Sequence, residues 1–164
     1  MDVRALIAGV ALSTAASGCS IVLDWEQRID AGPTPEACTY KEPNDTIDTA
    51  QTISTADMGP AAICTPGDHD FYRFNVPADM QNVTISVSFT NTTTNDLDMN
   101  LYDPATPANP IARGLSFTAP EQLICPNNSP FCPQLIAGDY ILEVFGADAG
   151  VTNTYSLSIT IVPQ

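Results

Sequence analysis

Apolar side chains recur at every second position along much of the chain. In Val83-Thr84-Ile85-Ser86-Val87-Ser88-Phe89-Thr90 every apolar residue is followed by a Ser or Thr. Leu97, Met99 and Leu101 alternate with Asp98 and Asn100, and Asp103-Pro104 ends that run. Tyr155, Leu157, Ile159 and Ile161 alternate with Ser156, Ser158 and Thr160. A period of two sends successive side chains to opposite faces, so each run predicts a strand with one face in a core. Tyr140, Leu142 and Val144 alternate with Ile141, Glu143 and Phe145, which predicts a strand covered on both faces. Turn-forming stretches separate the runs: Asn91-Thr92-Thr93-Thr94-Asn95, Gly138-Asp139 and Gly146-Ala147-Asp148-Ala149-Gly150. Strands with one apolar face at this spacing predict an all-β fold, an antiparallel two-sheet β-sandwich. Thr46 to Ile53 suits a helical turn or an edge strand. Pro104 to Pro133 is the least regular segment and has room for one or two short strands around Ile111 and Leu123.

One stretch breaks the pattern in an informative way. In Gly67-Asp68-His69-Asp70-Phe71-Tyr72-Arg73-Phe74-Asn75-Val76, the residues Tyr72, Phe74 and Val76 share a face, and Asp70 has their parity. A carboxylate buried alone on an apolar face costs several kcal/mol, roughly 2–7 even for a neutral polar group, so Asp70 requires a partner. A second acidic knot, Glu42-Pro43-Asn44-Asp45, lies upstream. The two knots read as halves of one cation site at the edge of the sandwich. Calcium suits such a site, because it takes six to eight oxygens from carboxylates and amide carbonyls in an irregular loop. The rival reading is that Asn44-Asp45-Thr46 caps a helical turn through a side-chain oxygen.

Composition narrows the classes further. At 164 residues the chain is long enough for one domain and a short appendage. Five basic residues against 19 acidic ones give a formal charge of -14, which argues against nucleic acid as a partner and for hard cations. Five cysteines are present. Residues 1–18 combine Arg4, a short apolar run from Ala5 to Leu12 and a small-residue region ending at Cys19. That is signal-peptide architecture, with an apolar run far below the ~20 residues of a membrane span. Ala16-Ser17-Gly18-Cys19 resembles a bacterial lipobox, which implies lipidation of Cys19 and a membrane anchor, with Ser20 resembling an outer-membrane sorting signal. Setting Cys19 aside leaves Cys38, Cys64, Cys125 and Cys132, an even number in an exported chain. Proximity pairs Cys125 with Cys132 across a Pro-bounded loop and leaves Cys38 for Cys64. Residues 19–39 read as an acidic, Pro-containing tether and residues 40–164 as the domain.

Four pieces in order carry a resemblance to a family. Glu42-Pro43-Asn44-Asp45, then Gly67-Asp68 with Asp70-Phe71-Tyr72-Arg73-Phe74, then Asp96-Leu97-Asp98-Met99-Asn100-Leu101-Tyr102-Asp103, then Ala137-Gly138-Asp139-Tyr140-Ile141-Leu142-Glu143-Val144, resemble the bacterial pre-peptidase C-terminal domain. That family is a jelly-roll-like β-sandwich appended to secreted peptidases, similar to the collagen-binding domains of clostridial collagenases, which bind calcium at their N-terminal edge. The resemblance implies Glu42, Asn44, Asp45 and Asp70 as calcium ligands, with Asp68 as an addition. No peptidase accompanies the domain in this sequence.

Catalytic readings are weaker. Asp96, Asp98 and Asn100 share one strand parity, and Asp96 with Asp98 could act as a glycosidase pair; a solvated sheet face explains them better. His69 is the single histidine, and neither an HExxH nor a Gly-x-Ser-x-Gly motif is present. The sequence therefore predicts a non-enzymatic, lipid-anchored envelope protein displaying a calcium-stabilised module. Its partner is expected to be an envelope protein or a polysaccharide; the alternative is a carbohydrate- or protein-fibre-binding module of an extracellular hydrolase system.

Overall fold

The computed structural model of the protein describes residues 32–54, 59–79, 82–92 and 94–163. The signal segment, Cys19 and the tether as far as residue 31 lie outside them. The described strands are β1 (Gln51–Thr52), β2 (Ala61–Ile63), β3 (His69–Val76), β4 (Asn82–Phe89), β5 (Leu97–Tyr102) and β6 (Ala112–Gly114). They continue with β7 (Glu121–Cys125), β8 (Asn127–Asn128), β9 (Phe131–Cys132), β10 (Gly138–Gly146) and β11 (Asn153–Val162). One sheet has the order β1-β3-β10-β5-β6, the other β2-β11-β4-β7, and β8 with β9 forms a small separate hairpin. The fold is a two-sheet β-sandwich, all β as the alternation predicts.

The alternating runs meet face to face. Tyr72, Phe74 and Val76 of β3, Leu97, Met99 and Leu101 of β5, and Tyr140, Leu142 and Val144 of β10 pack in one core with Val83, Ile85, Val87, Leu123, Leu157 and Ile159 of the other sheet. Each large apolar side chain buried there contributes about 1.5–3 kcal/mol relative to exposure. Central β10 is buried on both faces: Ile141 and Glu143 point away from the core yet are covered. The register sets Val144 opposite Asp70 and Phe145 opposite both His69 and Asp98.

The structure departs from the sequence reading at some points and refines it at others. Pairing is antiparallel except for β1, which runs parallel to β3, because the chain crosses to the other sheet as β2 before it returns. Strand β2 was not foreseen, since three consecutive apolar residues carry no period. Thr46 to Ile53 is both of its alternatives in turn, a 3-10 turn over Ile47–Thr49 followed by β1. Packed structure also starts before Tyr40, with a 3-10 turn at Ala37–Thr39 that buries Ala37. The disulfides are Cys38–Cys64 and Cys125–Cys132, with Cα separations of 5.7 and 5.0 Å. Two such bridges mark an exported protein of an oxidising compartment. Among the described residues no helix is long and apolar enough to cross a membrane.

Candidate metal centre

The two acidic knots converge where β3 begins. The Asn44 carbonyl accepts the Phe71 N–H at 2.8 Å, and the Pro43 carbonyl accepts Gln51 Nε2 at 2.9 Å, so the first knot is bonded onto the start of the sheet. Thr46, not Asn44 or Asp45, caps the Ile47–Thr49 turn, exchanging bonds with Thr49 in a reciprocal capping box. The capping role is therefore filled by another residue, and the Asn44 side chain turns inward instead. Asp68 closes a tight turn: its N–H donates to the Thr65 carbonyl at 3.0 Å, after Gly67 at φ +81°, a conformation that favours glycine.

One carboxylate oxygen each from Glu42, Asp68 and Asp70 lies within 4.8 Å of the others. That matches a calcium ligand sphere, about 4.6–5.2 Å across for bonds of 2.3–2.6 Å. Asp70 is 1% exposed and Asn44 fully buried. One end of the Asn44 amide sits 2.8 and 3.2 Å from the two Glu42 oxygens and 3.2 Å from Asp70 Oδ1. With its NH2 there, Asn44 donates to both acids and holds the metal-free site together.

Each acid has one oxygen tied by a protein donor. Glu42 Oε2 accepts the Asn44 N–H at 3.0 Å, Asp68 Oδ2 accepts the Cys64 N–H at 2.8 Å, and Asp70 Oδ2 accepts the Tyr155 hydroxyl in a short bond. Tyr155 is in turn 2.7 Å from the Tyr72 hydroxyl, so a buried polar chain runs from the site into the core between the sheets. Burial, with lesser repulsion from Asp68 and Glu42, pushes the Asp70 carboxyl up to about 7, although its bonds from Tyr155 and Asn44 work against this. Burial raises Glu42 too, with Asp45 and Asp68 adding repulsion. Burial and then the Asp70 charge raise Tyr72, with the Tyr155 hydrogen bond working against this, whereas burial, Tyr72 and Asp70 all raise Tyr155. The donor set, hard oxygens carrying three carboxylates, fits calcium.

Other residues singled out from sequence fall elsewhere. Asp45 is exposed and stands outside the converging set. Asp96 precedes β5; its oxygens are shielded from solvent and lack a hydrogen bond of normal geometry, although the Leu97 N–H offsets part of the effect of burial. Asp98 is half-buried, and burial, then Asp96, Glu121 and Asp148, raise it to about 6. This face is therefore partly covered instead of fully solvated. His69 stacks on Phe145 with centroids 5.5 Å apart, and its Nδ1 lies 2.7 Å from Glu143 Oε1. Asn100 Nδ2 and the Tyr102 hydroxyl both donate to Glu143 Oε2 at 2.7 Å, so the histidine belongs to a satisfied structural network. Two residues of the site were missed in the sequence. Tyr155 shows only core parity, and a buried tyrosine needs a hydroxyl partner that the sequence does not identify. The Cys64 N–H leaves no mark in a sequence at all.

No family model matches the chain, and no curated protein does. Among solved structures, the chain is similar to the pre-peptidase C-terminal domain of collagenase from Bacillus anthracis. The two share 23% identity over 68% of this chain and 94% of that one, with a TM-score of 0.53. It overlays less well on Aeromonas hydrophila PliG, a periplasmic inhibitor of g-type lysozyme, at 17% identity over 68% and 95% of the two chains, with a TM-score of 0.42. The fold of this chain is that of a pre-peptidase C-terminal domain.

Proposed function

We propose that the protein is a non-catalytic, calcium-stabilised β-sandwich module, held to the bacterial envelope through lipid on Cys19 and displayed for binding or scaffolding. The observation that carries the calcium reading is the meeting of Glu42, Asn44, Asp68 and Asp70, two of them buried, with one oxygen of each acid tied back by a protein donor. Bound calcium would supply charge neutralisation and cross-link the chain before β1 to the start of β3. Glu42, Asn44, Asp68 and Asp70 would hold it, and Asp45 would add to the local negative field. The partner reading is an envelope protein or polysaccharide, reached from an outer-membrane anchor, with no role in nucleic-acid binding. Isothermal titration of the metal-stripped protein with calcium tests the site: binding in the range of extracellular modules, about 10⁻⁴–10⁻³ M, is expected and should be lost in Asp70→Asn. A titration without heat, together with melting indifferent to calcium and to EGTA, would overturn it.

A second reading, a carbohydrate- or fibre-binding module, draws on the outer face of the β10 sheet, where His69 stacks against Phe71 and Phe145. Against it, Tyr72, Tyr140 and Tyr155 are all in the core, which leaves Tyr102 as the tyrosine of that face. A pull-down with envelope proteins and with polysaccharides separates the two.

A further inference from the structure

Each half of the Cys38–Cys64 bridge stands four residues before a ligand of the candidate centre, Cys38 before Glu42 and Cys64 before Asp68. Both intervening segments are short hydrogen-bonded turns. From Cys38 the chain passes through Thr39, whose carbonyl accepts the Glu42 N–H at 3.5 Å, and Cys38 itself donates to the Thr34 carbonyl at 3.0 Å. From Cys64 it passes through the Thr65–Asp68 turn, and the Cys64 N–H holds Asp68 Oδ2 at 2.8 Å. Along the backbone, Glu42 and Asp68 are joined only through the longer path over β1 and β2. The disulfide closes a much shorter ring between them, and one of its own cysteines supplies the donor that orients Asp68.

From this geometry we infer that the Cys38–Cys64 disulfide is a positioning element of the cation site, so that calcium binding and reduction of this bridge oppose each other. The inference rests on the calcium reading above and adds its regulation by thiol chemistry. Reduction by a dithiol is a two-electron step. A reductant thiolate attacks one bridge sulfur and expels the other, which takes a proton; the second reductant thiol then closes on the mixed disulfide. Two protein thiols and a cyclic oxidised reductant remain. In the reduced protein the 34–42 turn is no longer tethered to the end of β2, Cys64 loses its anchor, and Asp68 loses its fixed donor. Donors behind metal ligands are worth about 10–100-fold in affinity. Linkage makes the effect reciprocal, so calcium disfavours reduction by the same factor. A tenfold factor corresponds to about 30 mV for a two-electron couple.

The test uses the full chain in both directions. Calcium titration of the oxidised protein is compared with Cys38→Ser/Cys64→Ser and, as the control bridge, Cys125→Ser/Cys132→Ser. The expected result is a Kd raised about 10–100-fold in the first double variant and unchanged in the second. In the unsubstituted protein, dithiothreitol reduction followed by iodoacetamide labelling and mass spectrometry should show that calcium protects Cys38–Cys64 selectively over Cys125–Cys132. This arm needs no variant to fold. Absence of calcium binding to the oxidised protein overturns the calcium reading itself. Binding of equal strength with and without the Cys38–Cys64 bridge, or calcium protection equal for both bridges, overturns the coupling and leaves the calcium reading standing.

Discussion

Asp70 makes the stability of the metal-free protein depend on pH in an unusual direction for a carboxylate. Its carboxyl is raised from 3.8 to about 7, first by burial, so the folded state binds a proton more tightly than the unfolded chain does. The stability that this proton contributes is fully present below about 3.8 and is lost as pH rises through about 7. At about 1.36 kcal/mol per pH unit, the swing is roughly 4 kcal/mol. For a domain of this size that is on the order of 15 °C in melting temperature, taking about 4 °C per kcal/mol. Calcium reverses the requirement, because a bound cation needs the ionised acid. The assay is thermal or urea unfolding between pH 4.5 and 8, in EGTA and in millimolar calcium, for the wild type and Asp70→Asn. In EGTA the wild type should lose stability relative to Asp70→Asn as pH rises, and calcium should restore it most strongly at the alkaline end. A hundredfold excess of calcium over Kd is worth about 2.7 kcal/mol. A difference between wild type and Asp70→Asn that stays flat across this range in EGTA would refute the argument that a buried, proton-holding Asp70 sits at the site.

Tyr155→Phe leaves Asp70 Oδ2 and the Tyr72 hydroxyl without their shared partner; chemical denaturation should register a loss of about 1–3 kcal/mol. In Gly114→Ala, the new methyl would stand 2.7 Å from Glu121 Oε1 and 3.1 Å from Met99 Cγ, both side chains fully enclosed; overpacking of this kind should cost about 1–3 kcal/mol, read as a lower melting temperature. Leu142→Ala opens the centre of the core under β10, and urea unfolding should show about 2–5 kcal/mol lost. Mass spectrometry of the protein recovered from a bacterial envelope should find an acylated Cys19 at the mature N-terminus; an unmodified N-terminus beyond it in membrane-free medium would remove the anchor from the proposal.

Local pattern carried a large part of this structure. Strands β3, β4, β5, β10 and β11 are visible in the sequence because a period of two is imposed by the pleat itself, and one buried face per strand leaves an alternating trace. The parity of Asp70 with Tyr72 and Phe74 announced a buried acid for the same reason, and the count of cysteines allowed the two bridges to be paired. Strands β2, β8 and β9 left no such trace, being two or three residues long. Which acids converge was a matter of tertiary structure alone. Along the chain Asp45 belongs to the acidic motif and Asp68 is only an addition to it, but the Thr46 cap turns the chain so that Asp45 faces solvent, while the Gly67 turn brings Asp68 in. The partners that hold the site, Tyr155 from the opposite sheet and the Cys64 N–H from the end of β2, arrive only once the sandwich has closed. A sequence records which side chains require burial or a partner; the packing of two sheets decides which partner each one meets.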